Sequence, residues 1–349
     1  MAGSRTQAPK VTVFIPTLNR DATIGACLEA LAQQTCRDFE VLIVDGGSTD
    51  ETRHIVDSYR NRLTIRWTEQ GGGLIAAANV GWKQASGEIF TRTDDDAVPS
   101  PTWIASIIRA FDADPTIGGV TGPTIIPAAL LEERDLTLFN SRMQQARHPF
   151  WRIFAKIYYC YFMEGQPFAV SRFFRSGAFS LGSNYEACLC LPGRQAADHL
   201  EACNWSVRRS LLERVGGFDP AFTGIGEYHE PDVAYKIRAL GYHLVFDPAV
   251  RVEHRPSVVG VYKARPNTYS RSMNFVLFYL RHIKLNSLDK LCRFSSYLAV
   301  VNAYWIYKAI VTRDAHALGG LAGSIVGLYR YRRAGSSGGS YEQLPTARL

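Results

Sequence analysis

The first hundred residues alternate between short apolar runs and apolar positions at helical spacing. Val11-Thr12-Val13-Phe14-Ile15 closes at Pro16 and has the pattern of a buried strand. Ile24, Leu28 and Leu31 then recur at helical spacing between Thr23 and Gln34. Phe39 to Val44 is a second buried run, ended by Asp45. The turn Gly46-Gly47-Ser48-Thr49-Asp50 follows, and a helix starts from Glu51. The unit repeats through Leu63 to Trp67, Leu74 to Gln84 and Glu88 to Thr93. This alternation predicts an α/β fold, a mostly parallel central sheet with helices on both faces. Ligands of such sheets bind beyond the carboxyl ends of the strands. Pro16-Thr17, Asp45 and Asp94-Asp95-Asp96 all fall at those ends.

The acidic turn Thr93-Asp94-Asp95-Asp96-Ala97-Val98-Pro99 is followed by a helix start at Pro101-Thr102-Trp103-Ile104. Adjacent carboxylates raise one another's pKa unless a cation sits among them. A hard divalent ion, with phosphate oxygens and water completing its shell, removes the conflict. A solvated acidic turn is the competing reading. The turn after the first strand, Pro16-Thr17-Leu18-Asn19-Arg20, holds no glycine, which argues against a dinucleotide fold. A Walker phosphate loop is absent too.

Composition narrows the partners. The chain has 349 residues, 46% hydrophobic and 20% charged, an ordinary globular balance. A formal net charge of +7 favours anionic partners. The basic residues do not alternate with aromatics on a recognisable motif, so no nucleic acid is expected. Seven scattered cysteines form no disulfide framework and suit a reducing cytosol. Cys188, Cys190, His199 and Cys203 hold zinc ligand chemistry, but at no common zinc spacing. Residues 1–10 are polar, expected flexible, and resemble neither a signal peptide nor an anchor. Residues 334–349, rich in Ser and Gly, are expected to be disordered.

Five segments, in order, resemble glycosyltransferase family 2, the inverting enzymes of the GT-A fold. They are VFIPTLNRDATIGACLEALAQQT, FEVLIVDGGSTDET, GGGLIAAANVGWKQASGEIFTRTDDDAVPSPTWI, CNWSVRRSLLERVGGFDPAF and EPDVAYKIRALGYHLVFDP. The resemblance covers about Val11 to His254. It implies that Asp45 contacts the base or ribose of a nucleotide-diphosphate sugar, in a pocket lined by Pro16, Thr17 and Asn19. Asp94 and Asp96 match the D-x-D acids. One would ligate Mn²⁺ or Mg²⁺ and the other would touch ribose or donor sugar; Asp95 and Asn79 fall in the same donor segment. His254 matches a late histidine of the metal site, against a bland reading as a partly buried residue after a strand. Glu230 occupies the family's usual position for the base, with Asp232 next or serving as a helix cap. Asn204 and Trp205 fall in the acceptor-side segment, where Trp205 would stack on a sugar or simply pack in the core. One departure is Ala78, where relatives often carry arginine; that donor or phosphate contact is either lost or supplied elsewhere, for example by Lys83 or Arg92.

The expected organisation is a GT-A catalytic domain over residues 11–262 with an insertion at about 128–200. A C-terminal helical, membrane-associated region follows over 263–333. Within the insertion, Phe150 to Phe162 is aromatic with interspersed cations and suits a membrane interface. Arg172 and Arg175 follow in a loop placed to close over a diphosphate. Phe294 to Thr312 and Ala315 to Tyr329 are too short or too polar for convincing spans. Flanking Arg293, Arg313, Arg330, Arg332 and Arg333 suit anionic lipid head groups. The expected function is metal-dependent inverting glycosyl transfer to a hydroxyl of a saccharide or lipid-linked saccharide, peripheral on the cytosolic membrane face. A polyprenyl-phosphate glycosyl synthase is the alternative, and a non-catalytic basic binding module the remote one.

Overall fold

Strand β1 (Val11–Thr17) runs through the middle of the molecule, with only Pro16 partly exposed. Its alternating side chains feed two apolar layers. Val11, Val13 and Ile15 pack with Leu28 and Leu31 of α1 (Ile24–Ala32) and with Ile104 and Ile107 further along the chain. Phe14, on the other face, packs with Phe90, Ala77 and Ala78. Each such Leu, Ile or Phe contributes about 1.5–3 kcal/mol by leaving water, which fixes the strand's orientation.

The computed structural model describes residues 8–128, 149–256 and 268–336. After α1 come β2 (Phe39–Asp45), α2 (Thr52–Ser58), β3 (Ile65–Glu69), α3 (Leu74–Gln84), β4 (Ile89–Thr93), β5 (Ala97–Pro99), α4 (Trp103–Ala113), β6 (Ile117–Thr121) and β7 (Thr124–Ile125). Next are α5 (Pro149–Ile157), a π turn (Tyr158–Phe162), 3₁₀ turns (Gly182–Asn184, Glu186–Cys190), β8 (Gln195–Ala196), β9 (Asn204–Arg208), α6 (Arg209–Val215) and α7 (His229–Ala239). The chain continues with β10 (His243–Phe246), β11 (Val252–His254), α8 (Thr268–His282), α9 (Leu288–Thr312) and α10 (Gly319–Ser336).

Eight strands form the central sheet in the order β3-β2-β1-β4-β9-β6-β10-β8. The first four are parallel, as the alternation predicts. Strand β9 departs from the pattern, lying antiparallel between β4 and β6. A second sheet, β5-β11-β7, sits at the rim, where β5 follows directly on the acidic turn.

The C-terminal helices pack through small residues. A Cβ on Gly323 would sit 2.1 Å from the Tyr269 carbonyl oxygen, so only glycine lets α10 approach α8 this closely. Trp305 of α9 lies over Gly320 in the same way. Facing outward, Ile306, Tyr307, Ile310 and Val311 of α9 and Ile325 and Tyr329 of α10 are exposed. No described helix is long and apolar enough to cross a membrane. In the aromatic segment, Tyr158 and Phe162 pack on Tyr297 of α9, while Ile153 and Ile157 stay exposed.

Candidate active site

The site is built from strand ends. The β1–β2 register sets Thr17 beside Asp45. Asp45 is 3% exposed, and its two oxygens accept from Ser48, Oγ at 2.6 Å and the backbone N–H at 2.9 Å. Asn19 takes a left-handed φ of 54°, a conformation asparagine tolerates better than most residues. That turn lets its N–H donate to Ser48 Oγ at 2.8 Å and its Oδ1 accept from the Thr49 N–H at 2.8 Å. The next residue, Arg20, reaches Asp95 with Nε 3.2 Å from Oδ1. The loops after β1, β2 and β4 are thus tied into one rim.

Within the acidic turn the three aspartates part company. Asp95, expected among the donor contacts, is buried and takes Arg20 as its partner. Burial pushes its carboxyl up to about 8 against the pull of Arg20, with Asp96 and Asp94 adding to the rise. Asp94 keeps a partly exposed side chain, and its Oδ1 lies 2.8 Å from Arg92 Nη2. Asp96 Oδ1 lies 3.2 Å from His254 Nε2. Strand pairing explains that contact, because β11 runs antiparallel to β5 and sets His254 opposite Ala97.

A third donor joins them. The β4–β9 register pairs Thr93 with Asn204, which brings Cys203 alongside Asp94. Donor atoms of Asp94, Cys203 and His254 all lie within 4.8 Å of one another, the one such trio among the described residues. Burial lowers the proton affinity of His254, but Cys203 and Asp96 beside it raise it well above the ordinary histidine value. Burial pushes the Cys203 thiol up, and His254 pulls it part of the way back. A partly open carboxylate, an imidazole and a thiol gathered in one place fit a divalent cation.

Arg92 links this centre to α7. Its Nη1 donates to Glu230 Oε1 at 2.8 Å, and His229 Nδ1 lies 2.9 Å from Oε2. Burial pushes the Glu230 carboxyl up, but His229 and Arg92 outweigh it and hold it below the usual range. Asp232 turns elsewhere. Its oxygens meet His282 Nε2 at 2.7 Å and Lys236 Nζ at 2.6 Å, inside the α7–α8 contact.

Several of the other expected contact residues are engaged within the fold. Asn204 is wholly buried, bonded to Trp103 Nε1 at 2.9 Å and to the carbonyls of Pro123 and Val250. Trp205 packs between Phe90 and Phe218. Both are buried residues of β9, and Trp205 takes the core-packing alternative. Asn79 spends its amide on Phe218 and Trp82. Lys83 sits in the last turn of α3, the end remote from the strand tips, so of the two suggested substitutes for an arginine at Ala78 only Arg92 is at the site. Arg172 pairs with Asp198, and Arg175 with Glu164 and Asp289. Cys188 and His199 have separate surroundings, Cys188 against the Ser183 carbonyl and His199 against Phe173, so no zinc group forms there.

Comparison with known proteins agrees with this architecture. Residues 12–172 match the family described as "Glycosyl transferase family 2". The chain is 38% identical over 115 residues to validoxylamine A glucosyltransferase of Streptomyces hygroscopicus subsp. limoneus, covering 32% of this chain and 25% of that protein. It is 43% identical over 102 residues to the PGL/p-HBAD biosynthesis glycosyltransferase of Mycobacterium tuberculosis strain H37Ra, covering 27% of this chain and 39% of that one. The chain thus spans well under half the length of these relatives. Among solved structures, the mannosyltransferase PcManGT of Pyrobaculum calidifontis, in complex with GDP-Man and Mn²⁺, superposes with a TM-score of 0.53 at 21% identity, covering 94% of this chain and 88% of that one. TarS 1-349 of S. aureus, in complex with UDP, gives 0.52 at 15% identity over 97% and 98% of the two chains. Residues 12–172 thus match glycosyl transferase family 2, and the chain as a whole has the GT-A fold.

Proposed function

We propose that this protein moves a sugar, with inversion, from a nucleotide-diphosphate sugar to a hydroxyl of a saccharide or lipid-linked saccharide, with a divalent metal at the acidic turn. The observation that carries the proposal is the single rim on which Asp45, Asp94, Asp96 and His254 converge. Pro16, Thr17, Asn19 and Asp45 hold the nucleoside end. Gly71-Gly72-Gly73, at the start of α3, leaves backbone N–H groups open to phosphate. Asp94, Asp96 and His254 would hold the cation, which would supply Lewis-acid stabilisation of the departing diphosphate. Arg92 holds the Asp94 and Glu230 carboxylates in place, and Glu230 accepts the proton of the attacking hydroxyl.

Structures sharing this fold hold GDP-Man with Mn²⁺ and UDP-GlcNAc, which supports a nucleotide-sugar donor and leaves its base to experiment. The exposed apolar residues of α9 and α10, beside Arg313 and Arg330, support docking on the cytosolic face of a membrane. A phosphate acceptor is the second reading. It needs no base, and the engagement of both Glu230 oxygens by Arg92 and His229 favours it to that extent.

The test is a nucleotide-release screen over UDP- and GDP-sugars with Mn²⁺, with and without chelator. Release that chelator abolishes supports the proposal. Release at full rate in chelator removes the metal from it, and no release with any donor or acceptor class overturns it.

A further inference from the structure

We propose that Cys203 supplies a sulfur ligand to the cation held at the rim, beside Asp94 and His254. The inference rests on the metal-dependent reading above and adds to it a ligand that the D-x-D pattern does not contain. Cys203 is 1% exposed, yet its Sγ lies within 4.8 Å of an Asp94 oxygen and a His254 nitrogen. Its place is set by backbone pairing rather than by a flexible side chain. Thr93 faces Asn204 across the β4–β9 ladder, so Cys203 stands where the acidic turn begins. Nothing apolar is gained by burying a thiol between a carboxylate and an imidazole; a shared ligand accounts for all three.

The step balances simply. A sulfur–metal bond forms as the thiol S–H bond breaks, and the proton leaves to buffer. The cation's charge drives that loss. Asp96, which shares the cation in the reading above, stands 3.2 Å from His254 Nε2. A mixed oxygen, nitrogen and sulfur set changes which ions bind well. Magnesium demands near-octahedral oxygen ligands, whereas thiolate and imidazole suit zinc, cobalt and their neighbours. The site therefore selects thiophilic divalent ions over Mg²⁺.

Cobalt reports this directly. The full chain, stripped with chelator, is titrated with Co²⁺ while absorbance is followed, and affinity is read by calorimetry. The expected result is a sulfur-to-cobalt charge-transfer band in the near ultraviolet, lost in Cys203→Ser and in His254→Ala. Cys203→Ser should weaken Co²⁺ binding on the order of ten- to a hundredfold and leave Mg²⁺ binding nearly unchanged. Should the serine chain fail to fold, as judged by circular dichroism, Cys203→Ala carries the same comparison. Co²⁺ binding without the band, or a band that persists in both variants, overturns the sulfur ligand and leaves the metal reading intact. Failure of wild-type protein to bind either Co²⁺ or Mn²⁺ overturns the metal reading itself.

Discussion

Arg92 serves three groups at once. One guanidinium meets Asp94, Glu230 and His229, and it is almost fully buried. A planar fork can hold two carboxylates in fixed directions, and a lysine ammonium cannot. Arg92→Lys should therefore lower kcat with the fold retained, about tenfold or more for a lost charge-assisted hydrogen bond, measured by steady-state kinetics. Asp96→Ala should nearly abolish turnover and weaken Mn²⁺ binding in calorimetry. Glu230→Gln should keep donor affinity but cut transfer to hydroxyl acceptors by about 10²–10⁴-fold. Undiminished transfer would favour the phosphate-acceptor reading. The acids at the rim were legible because strand tips of an alternating fold share one edge. Cys203 was not, since its neighbour at Asp94 follows only from the antiparallel pairing of Thr93 with Asn204. For Trp205 the sequence left sugar stacking and core packing open, because nothing local in Asn204-Trp205-Ser206-Val207-Arg208 signals a strand buried on both faces.

Helix α7 shows how an element divides labour. Residues two apart on a helix do not face each other, so Glu230 turns to the rim while Asp232 turns to α8. The sequence offered both acids as bases, and helical geometry separates them. Asp232 is held below the ordinary carboxylate range; burial opposes this, and His282 and Lys236 overcome it. Its folded pKa lies under the unfolded one. The stability it contributes is then present above the unfolded carboxylate pKa, near 4, and lost as pH falls through the folded value. Asp232→Asn should cost about 3 kcal/mol or more at neutral pH, as expected when a buried pair loses one partner. It should also flatten the acid limb of denaturant midpoint against pH, both read by urea titration. Between α8 and α10 the determinant is volume. Gly323→Leu has no room above Tyr269 and should lower Tm, since overpacking costs about 1–3 kcal/mol or more.

At the scale of the whole molecule, the apolar face of α9 and α10 lies on a chain of net charge +7. Flotation with vesicles should show binding when anionic lipid is present, weakened by salt as screening shortens the field. Paired Ile310→Asp and Ile325→Asp should abolish it while leaving hydrolysis of soluble donor unchanged. Binding equal to wild type would remove the membrane from the proposal. Alternation made the parallel half of the sheet legible, but β9 reaches β4 across more than a hundred residues, a pairing that no local pattern records. The donors at the rim are separated just as widely along the chain, at positions 94, 203 and 254. An unfolded polypeptide would have to close very long loops to bring them together. A cation held there would be a gauge of completed folding, and a truncated or half-assembled chain should let the ion go before any catalytic assay is run.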